Sequence, residues 1–232
     1  MLRFPGHGHR ARSPSPWHVE ASLSTSDPAR SGEPARTPTA QEAVAALLEG
    51  HERFVQDRPL HLHQDAGRRA VVSTGQHPFA LILGCADSRV PPEVILDQGF
   101  GDLFVIRTAG HVVDAAVLGS VEYGLVELEI PLVAVLGHER CGAVQAAVSA
   151  AQRGGPPHSH LARLVETIAP AVAKVSGQSG DVVDNAVRAH VRLVVAQLLR
   201  EVPLLATRVA AGQTKLVGLR HDLDTGELDL VQ

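Results

Sequence analysis

The chain has few aromatic residues and few cysteines. Phe, Trp and Tyr make up 3% of its 232 residues, and Cys occurs twice. So few aromatics disfavour an aromatic-rich β-sandwich, and two cysteines are too few for a secreted disulfide scaffold. No stretch of about 18 apolar residues is present, which argues against a membrane span. The N-terminus also lacks the apolar run of a secretory signal, so we expect a cytoplasmic protein.

The chain also has no excess of positive charge. It contains 21 Lys and Arg against 25 Asp and Glu, which gives a formal charge of −4, whereas a nucleic-acid-binding domain carries a basic field. Hydrophobic residues make up 44% of the chain, enough for the core of one domain. Most of them are Val, Leu and Ala, which suit buried parallel strands covered by helices. We therefore expect neither nucleic acid nor a membrane as a partner.

The first 38 residues differ in composition from the rest. They hold six of the 15 prolines, at positions 5, 14, 16, 28, 34 and 38, together with many Ser and Arg residues. They show no apolar period, and such a segment does not bury enough apolar surface to fold. We predict a disordered N-terminal tail over 1–38 and one folded domain over 39–232.

A helix is predicted directly after this tail. Thr39 and Glu42 have the spacing of a capping box, and apolar residues then recur at helical spacing as far as Arg58 and Pro59, where the helix ends. The apolar stripe is narrow, so it could pack on a partner subunit as readily as on its own chain. We expect this helix to embrace a partner.

Four apolar runs with strand character follow, separated by helical patterns. Continuous rather than alternating apolar runs indicate strands buried on both faces of a parallel sheet. A turn and a last short run then predict a terminal antiparallel hairpin. The predicted fold class is α/β, with a central four-stranded parallel sheet, a C-terminal antiparallel strand and helices on both faces. The strands are predicted at 79–83, 103–106, 132–136, 215–219 and 227–231, and the helices at 114–128, 141–152, 160–175 and 181–200.

Both cysteines come just after a predicted strand. Cys85 follows the first strand, and Cys141 follows the third, three residues after His138. Ligands of doubly wound sheets bind outside the carboxyl ends of the strands, so these side chains could meet in one crevice. Asp87, two residues after Cys85, points the same way in an extended chain. His138 and Cys141 share a face at a helix start, where the helix N-terminus favours a thiolate.

Two thiolates and one imidazole suit zinc, which prefers four ligands of this kind. The fourth position is left for Asp87 or for water, and three protein ligands plus water are typical of a catalytic zinc site. On spacing alone, two buried cysteines beside an ordinary turn histidine explain the pattern equally well. A redox pair is the weaker interpretation, because the chain has no Cys-x-x-Cys.

Taken together, the motifs resemble those of the β-class carbonic anhydrases. The pattern Cys-x-Asp-x-Arg from residue 85, followed roughly fifty residues later by His-x-x-Cys-Gly from residue 138, is similar to the zinc motif of that family. Further similar segments are the stretch between the ligand pairs, the tyrosine-containing helix and the closing hairpin, at 101–110, 120–123 and 222–226. The resemblance covers about residues 40–232, which is the whole predicted domain.

The resemblance implies Zn²⁺ as the cofactor and a role for individual residues. Cys85, His138 and Cys141 would be the permanent zinc ligands, and Asp87 and Arg89 would form the family's Asp–Arg dyad. Asp87 would orient the zinc-bound water and would become a fourth ligand if the dyad opened. The residues implied in substrate binding, partly across a subunit boundary, are Gln76, Phe104, Tyr123 and Gly142.

The implied activity is the reversible hydration of carbon dioxide to bicarbonate and a proton, by attack of zinc-bound hydroxide. Ile82 stands where the bicarbonate-inhibited subtype has Trp, so the plant-like active-site subtype is expected. The resemblance also implies a homodimer or a homotetramer. Two alternatives share the motif: a zinc hydrolase acting on a carbon dioxide analogue, and a non-catalytic zinc-stabilised module that binds bicarbonate or a protein. A nucleotide-binding fold is disfavoured, because no Gly-x-Gly-x-x-Gly follows the first strand.

Overall fold

The computed structural model of the chain describes residues 37–155 and 159–231. The predicted tail lies, apart from its last two residues, outside the described residues. In the part that is described, the helices are α1 (Ala40–Val55), α2 (Ala66–Val72), α3 (Pro92–Ile95), α4 (Ala115–Val126), α5 (Gly142–Arg153), α6 (Leu161–Lys174), α7 (Val182–Glu201) and α8 (Pro203–Ala210). The strands are β1 (Ala80–Cys85), β2 (Leu103–Thr108), β3 (Leu132–His138), β4 (Lys215–His221) and β5 (Leu228–Leu230). None of these helices combines the length and the apolar character needed to cross a membrane.

The strands form one sheet in the order β2-β1-β3-β4-β5. The pairs between β2, β1, β3 and β4 are parallel, and β5 runs antiparallel to β4. Every residue of β1 and β3 is buried, as expected for central strands covered on both faces. The sheet therefore confirms the predicted fold class, including the antiparallel last strand.

Helices cover both faces of the sheet. On one face, α4 lies against Leu81 of β1, and α7 packs Val187 and Val191 against the end of β3. On the other face, α3 brings Pro92 close to Gly84, and α1 contacts β3. Because side chains alternate along a strand, β1 and β3 each contribute to two hydrophobic layers.

Three short helices were absent from the sequence-based expectation. The helices α2, α3 and α8 have 7, 4 and 8 residues, which is too short to show an apolar period clearly. Proline marks the start of two of them, since Pro92 and Pro203 occupy first-turn positions. The four longer helices predicted after the first strand are present with ends shifted by one or two residues, and α1 ends at Val55, three residues before Arg58.

The capping box at the start of α1 is confirmed, but its apolar face packs within the chain. The backbone N–H of Thr39 donates to Glu42 at 2.7 Å, and the N–H of Glu42 donates to Thr39 Oγ1 at 3.2 Å. On the apolar face, Leu47 and Gly50 are buried, and Gly50 lies directly against the backbone of Leu96. These residues of the apolar face therefore pack on their own chain. That the helix also embraces a partner stays a prediction.

We predict that Gly50→Ala destabilises the protein. A Cβ at this position would lie 1.9 Å from the Leu96 carbonyl oxygen, so α1 must move, at a cost of about 1–3 kcal/mol. Gly119→Ala in α4 is the matched control, because a Cβ there meets nothing within 4 Å and helix propensity favours Ala by about 1 kcal/mol. Urea unfolding of both variants measures the difference. Equal stability of the two variants would contradict this packing of α1.

Candidate metal centre

Two neighbouring parallel strands bring the predicted ligands to one edge of the sheet. Cys85 is the last residue of β1, and His138 is the last residue of β3. The register pairs Gly84 with Leu136, so the two strands end side by side at their carboxyl edge. The chain then turns, and Cys141 follows as the N-cap residue of α5.

The three side chains form one buried group. The Sγ atoms of Cys85 and Cys141 are 3.9 Å apart, and the ligand atoms of both cysteines and His138 lie within 4.8 Å of one another. Both thiols are free. Two thiolates bound to one tetrahedral zinc ion, with Zn–S bonds of about 2.3 Å, would have sulfur atoms about 3.8 Å apart. The observed separation therefore fits a zinc site.

The imidazole of His138 is oriented for metal binding by its backbone partner. Its Nδ1 lies 2.9 Å from the carbonyl oxygen of Glu139, and a carbonyl only accepts, so Nδ1 carries the proton. The lone pair is then on Nε2, which is buried and has no hydrogen-bond partner among the described residues. A buried nitrogen without a partner is costly, and a metal ion beside the two sulfur atoms satisfies it. The residues present therefore fit a bound zinc ion.

Electrostatics favour the ligand form of Cys85. A hydrogen bond from the Cys141 thiol lowers the pKa of Cys85 well below its usual range, and the same interaction, together with burial, raises the pKa of Cys141. The backbone N–H of Gly110 also donates to Cys85 Sγ, at 3.3 Å. The thiolate is the form that binds metals, so the lowered pKa favours Cys85 in its metal-binding form.

Asp87 and Arg89 form a bidentate ion pair beside the metal-binding group. Arg89 donates from Nε to Asp87 Oδ1 at 2.9 Å and from Nη2 to Asp87 Oδ2 at 2.7 Å. Hydrogen bonds from the Arg89 side chain hold the pKa of the Asp87 carboxyl well below its usual range, against a smaller opposing effect of burial. Asp87 Oδ2 lies 3.8 Å from His138 Nε2. The ion pair thus fixes an ionised carboxylate next to the metal-binding nitrogen of His138.

Two further contacts hold the chain around this dyad. Arg89 Nη2 donates to the carbonyl oxygen of Arg140, which lies between the ligands His138 and Cys141 in sequence, at 3.2 Å. Arg107 of β2 donates from Nε to the Cys85 carbonyl at 2.8 Å and from Nη2 to the carbonyl of Asp87 at 2.6 Å. Arg107 was not among the predicted site residues. A charged residue inside the apolar strand β2 was the available signal.

Only one of the four predicted substrate-binding residues lies next to the metal-binding group of its own chain. Gly142, the first residue of α5, directly follows Cys141. Phe104 instead pairs with Leu81, four residues before Cys85, which corresponds to about 13 Å along a parallel strand. Tyr123 stacks on Phe104, with ring centroids 6.0 Å apart, and is 48% exposed.

Gln76 is the remaining predicted substrate-binding residue. It lies in the segment before β1 and is exposed. β1 runs from Ala80 to Cys85, so Gln76 precedes the end of the strand that lies opposite the metal-binding edge. Like Phe104 and Tyr123, it belongs to the surface of the single chain.

Comparisons with known proteins agree with this geometry. Residues 80–228 match the family described as carbonic anhydrase. The chain is 47% identical over 184 residues to carbonic anhydrase 2 of Mycobacterium tuberculosis, covering 79% of this chain and 89% of the relative. It is 43% identical over 188 residues to the carbonic anhydrase of Mycolicibacterium smegmatis, covering 81% and 91%.

Solved structures are similar in fold as well. The β-carbonic anhydrase CcaA superposes with a TM-score of 0.63 at 28% identity, covering 81% of this chain and 98% of that chain. The Coccomyxa β-carbonic anhydrase in complex with acetazolamide superposes with a TM-score of 0.64 at 25% identity, covering 81% and 86%. With the matching family and a relative at this level of identity, the chain belongs to the carbonic anhydrase family and is a β-class carbonic anhydrase, an enzyme of carbon dioxide hydration.

Proposed function

We propose that this chain hydrates carbon dioxide reversibly to bicarbonate and a proton with a zinc ion held by Cys85, His138 and Cys141. The observation that carries the proposal is the buried group of Cys85, His138 and Cys141, whose ligand atoms lie within 4.8 Å of one another. Within it, His138 Nε2 has no hydrogen-bond partner among the described residues. When bound, zinc supplies a Lewis acid that lowers the pKa of a coordinated water to about 7.

Asp87 is proposed to orient the reacting water, and Arg89 to keep Asp87 in place. The Asp87 carboxylate is acceptor-only because its low pKa keeps it ionised, so it fixes the direction of an O–H group beside it. The bidentate pair with Arg89 uses one donor on each carboxylate oxygen. This pair holds Asp87 away from the fourth ligand position, and opening the pair would allow Asp87 to bind the metal.

The apolar part of the substrate pocket is proposed to come from a second subunit. Carbon dioxide is small and uncharged, so aromatic walls that exclude water suit it better than charged anchors. The half-buried Phe104 and the exposed Tyr123 form an aromatic pair away from the metal-binding group of their own chain. Phe104 also lies on β2, an edge strand of the sheet. A homodimer, or a homotetramer built from such dimers, would bring this pair and Gln76 to the metal of the partner.

The remaining finer assignments are proposals too. Ile82, buried in β1, supports the plant-like active-site subtype without a bicarbonate regulatory site. Two free thiols that act as metal ligands must stay reduced, which suits the cytoplasm.

We predict that the purified protein contains about one zinc ion per chain, and that Cys141→Ser loses most of it, because one of the three protein ligands is removed. Metal analysis by mass spectrometry measures the content. The control is Asp224→Asn, which alters the second group of candidate ligands, Glu139, Asp222 and Asp224, and should keep the zinc. Zinc retained by Cys141→Ser and lost by Asp224→Asn would place the metal elsewhere.

We predict that Asp87→Asn lowers carbon dioxide hydration by about 10- to 100-fold while zinc content stays the same, because the amide cannot replace an ionised acceptor paired with Arg89. Stopped-flow assays with a pH indicator measure the rate. Asp229→Asn is the matched control, since Asp229 also pairs with an arginine, Arg188, but on β5. A fully active Asp87→Asn enzyme would favour a role for the dyad in structure alone.

The shared pocket predicts complementation between two impaired variants. Cys141→Ser lacks a metal ligand and Tyr123→Ala lacks an aromatic wall, so a mixed dimer holds one intact site if the wall comes from the partner. Refolding an equal mixture should give about a quarter of the wild-type activity, because about half of the dimers are mixed and each has one intact site of two. Activity no higher than the average of the two separate variants would place Tyr123 in the site of its own chain.

A further inference from the structure

A short turn directly after β2 contacts the metal-binding group through Cys85. Residues Ala109–His111 form one turn of 3-10 helix, and within it the backbone N–H of Gly110 donates to Cys85 Sγ at 3.3 Å. Gly110 has φ 66° and ψ 22°, a left-handed conformation that favours glycine. A Cβ on Gly110 would lie 2.8 Å from Ala143 Cβ and 2.9 Å from Ile168 Cδ1. The turn is therefore wedged between β1, α5 and α6.

His190, in the middle of α7, holds the other side of this turn. Its Nε2 lies 2.9 Å from the carbonyl oxygen of Gly110, and because a carbonyl only accepts, Nε2 carries the proton. Burial lowers the pKa of His190, which outweighs the opposite effect of the bond to Gly110. A neutral imidazole is thus fixed as a donor to Gly110 by a helix that packs on both β3 and β4.

The surroundings of His190 are otherwise without polar partners. Its Nδ1 has no hydrogen-bond partner among the described residues, and neither ring nitrogen of the adjacent His111 has one. The two rings have centroids 4.6 Å apart, and both residues are buried. Burying an imidazole whose ring nitrogens lack hydrogen-bond partners costs free energy that an apolar side chain would not cost. The one described hydrogen bond of the His190 side chain goes to the residue that contacts the Cys85 sulfur.

We propose that His190 is a positioning residue of the metal centre: by donating to the Gly110 carbonyl, it holds the 109–111 turn where the Gly110 N–H reaches the Cys85 sulfur. The proposal rests on the zinc site of the proposed function. A hydrogen bond to a metal-binding thiolate withdraws electron density from sulfur, so Cys85 donates less charge to the ion and the ion remains a stronger Lewis acid. His190 thus acts on the reaction through Gly110 and Cys85.

The test compares His190→Leu, which removes the donor, with His190→Gln, whose amide can donate from nearly the same place as Nε2. In the cobalt(II)-substituted enzymes, the sulfur-to-cobalt charge-transfer absorption reports electron density on the thiolates. We expect His190→Leu to move this band to longer wavelength, because the sulfur regains electron density. It should also weaken metal binding, because Cys85 is no longer held in position, and carbon dioxide hydration, because the ion is a weaker Lewis acid, each by about 10- to 100-fold. His190→Gln should restore most of each.

A matched control separates this effect from loosened packing of α7. Val187→Ala, one turn earlier on the same helix, leaves a cavity against Gly137 but keeps both hydrogen bonds of Gly110. It should lose stability in urea unfolding without moving the charge-transfer band. A folded His190→Leu enzyme with the wild-type band and metal affinity would overturn the proposal, as would His190→Gln behaving like His190→Leu.

A measurement on the wild-type enzyme keeps the proposal testable if His190→Leu does not fold. In the protein loaded with ¹¹³Cd, the Gly110 amide proton should show scalar coupling to the metal through the Cys85 sulfur, and ¹⁵N shifts should show His190 neutral with the proton on Nε2. A missing coupling, or the proton on Nδ1, would refute the arrangement. A wild-type enzyme that binds no metal would instead refute the proposed function.

Discussion

The parallel pairing of β1 with β3 is the constraint on which the site depends. Because these central strands run in the same direction in register, their carboxyl ends coincide, and Cys85 meets His138 there. The start of α5 then places Cys141 close enough for its sulfur to lie 3.9 Å from that of Cys85. Two positions 56 residues apart become neighbours only through this sheet. A slip of one residue in the register would turn one ligand to the opposite face.

Around this meeting point, backbone groups are held by charged and polar side chains from other elements. Arg107 fixes the carbonyl groups of Cys85 and Asp87, and Arg89 joins the Asp87 carboxylate to the loop between the other two ligands. The turn at Gly110 approaches Cys85 from the opposite side. Each contact fixes the direction of an atom near the metal position, so little reorganisation is needed when a charged ion or a polar water is held there.

The same fold leaves part of the predicted pocket at the surface. The edge strand β2 carries Phe104, and α4 presents Tyr123 beside it, with nearly half of the tyrosine exposed. The metal-binding group is complete within one chain, whereas the aromatic wall is separated from it by most of the length of a strand. Under the proposed function, metal binding would depend on the folded chain alone, and enclosure of the substrate would depend on the assembly of two chains.

The sequence by itself determined the α/β class, the parallel sheet with its antiparallel end and the candidate metal ligands, because apolar runs and short motifs are local patterns of neighbouring residues. The spacing of the motifs left open whether Cys85 and Cys141 lie together, and the sequence assigned no role to Arg107 or His190. The sequence also did not predict that α1 packs on its own chain, since a narrow apolar stripe does not indicate which surface it packs against. Those points were decided by the tertiary structure. They depend on distances between segments that lie far apart in the chain. Strand register and helix packing determine these distances, whereas composition does not.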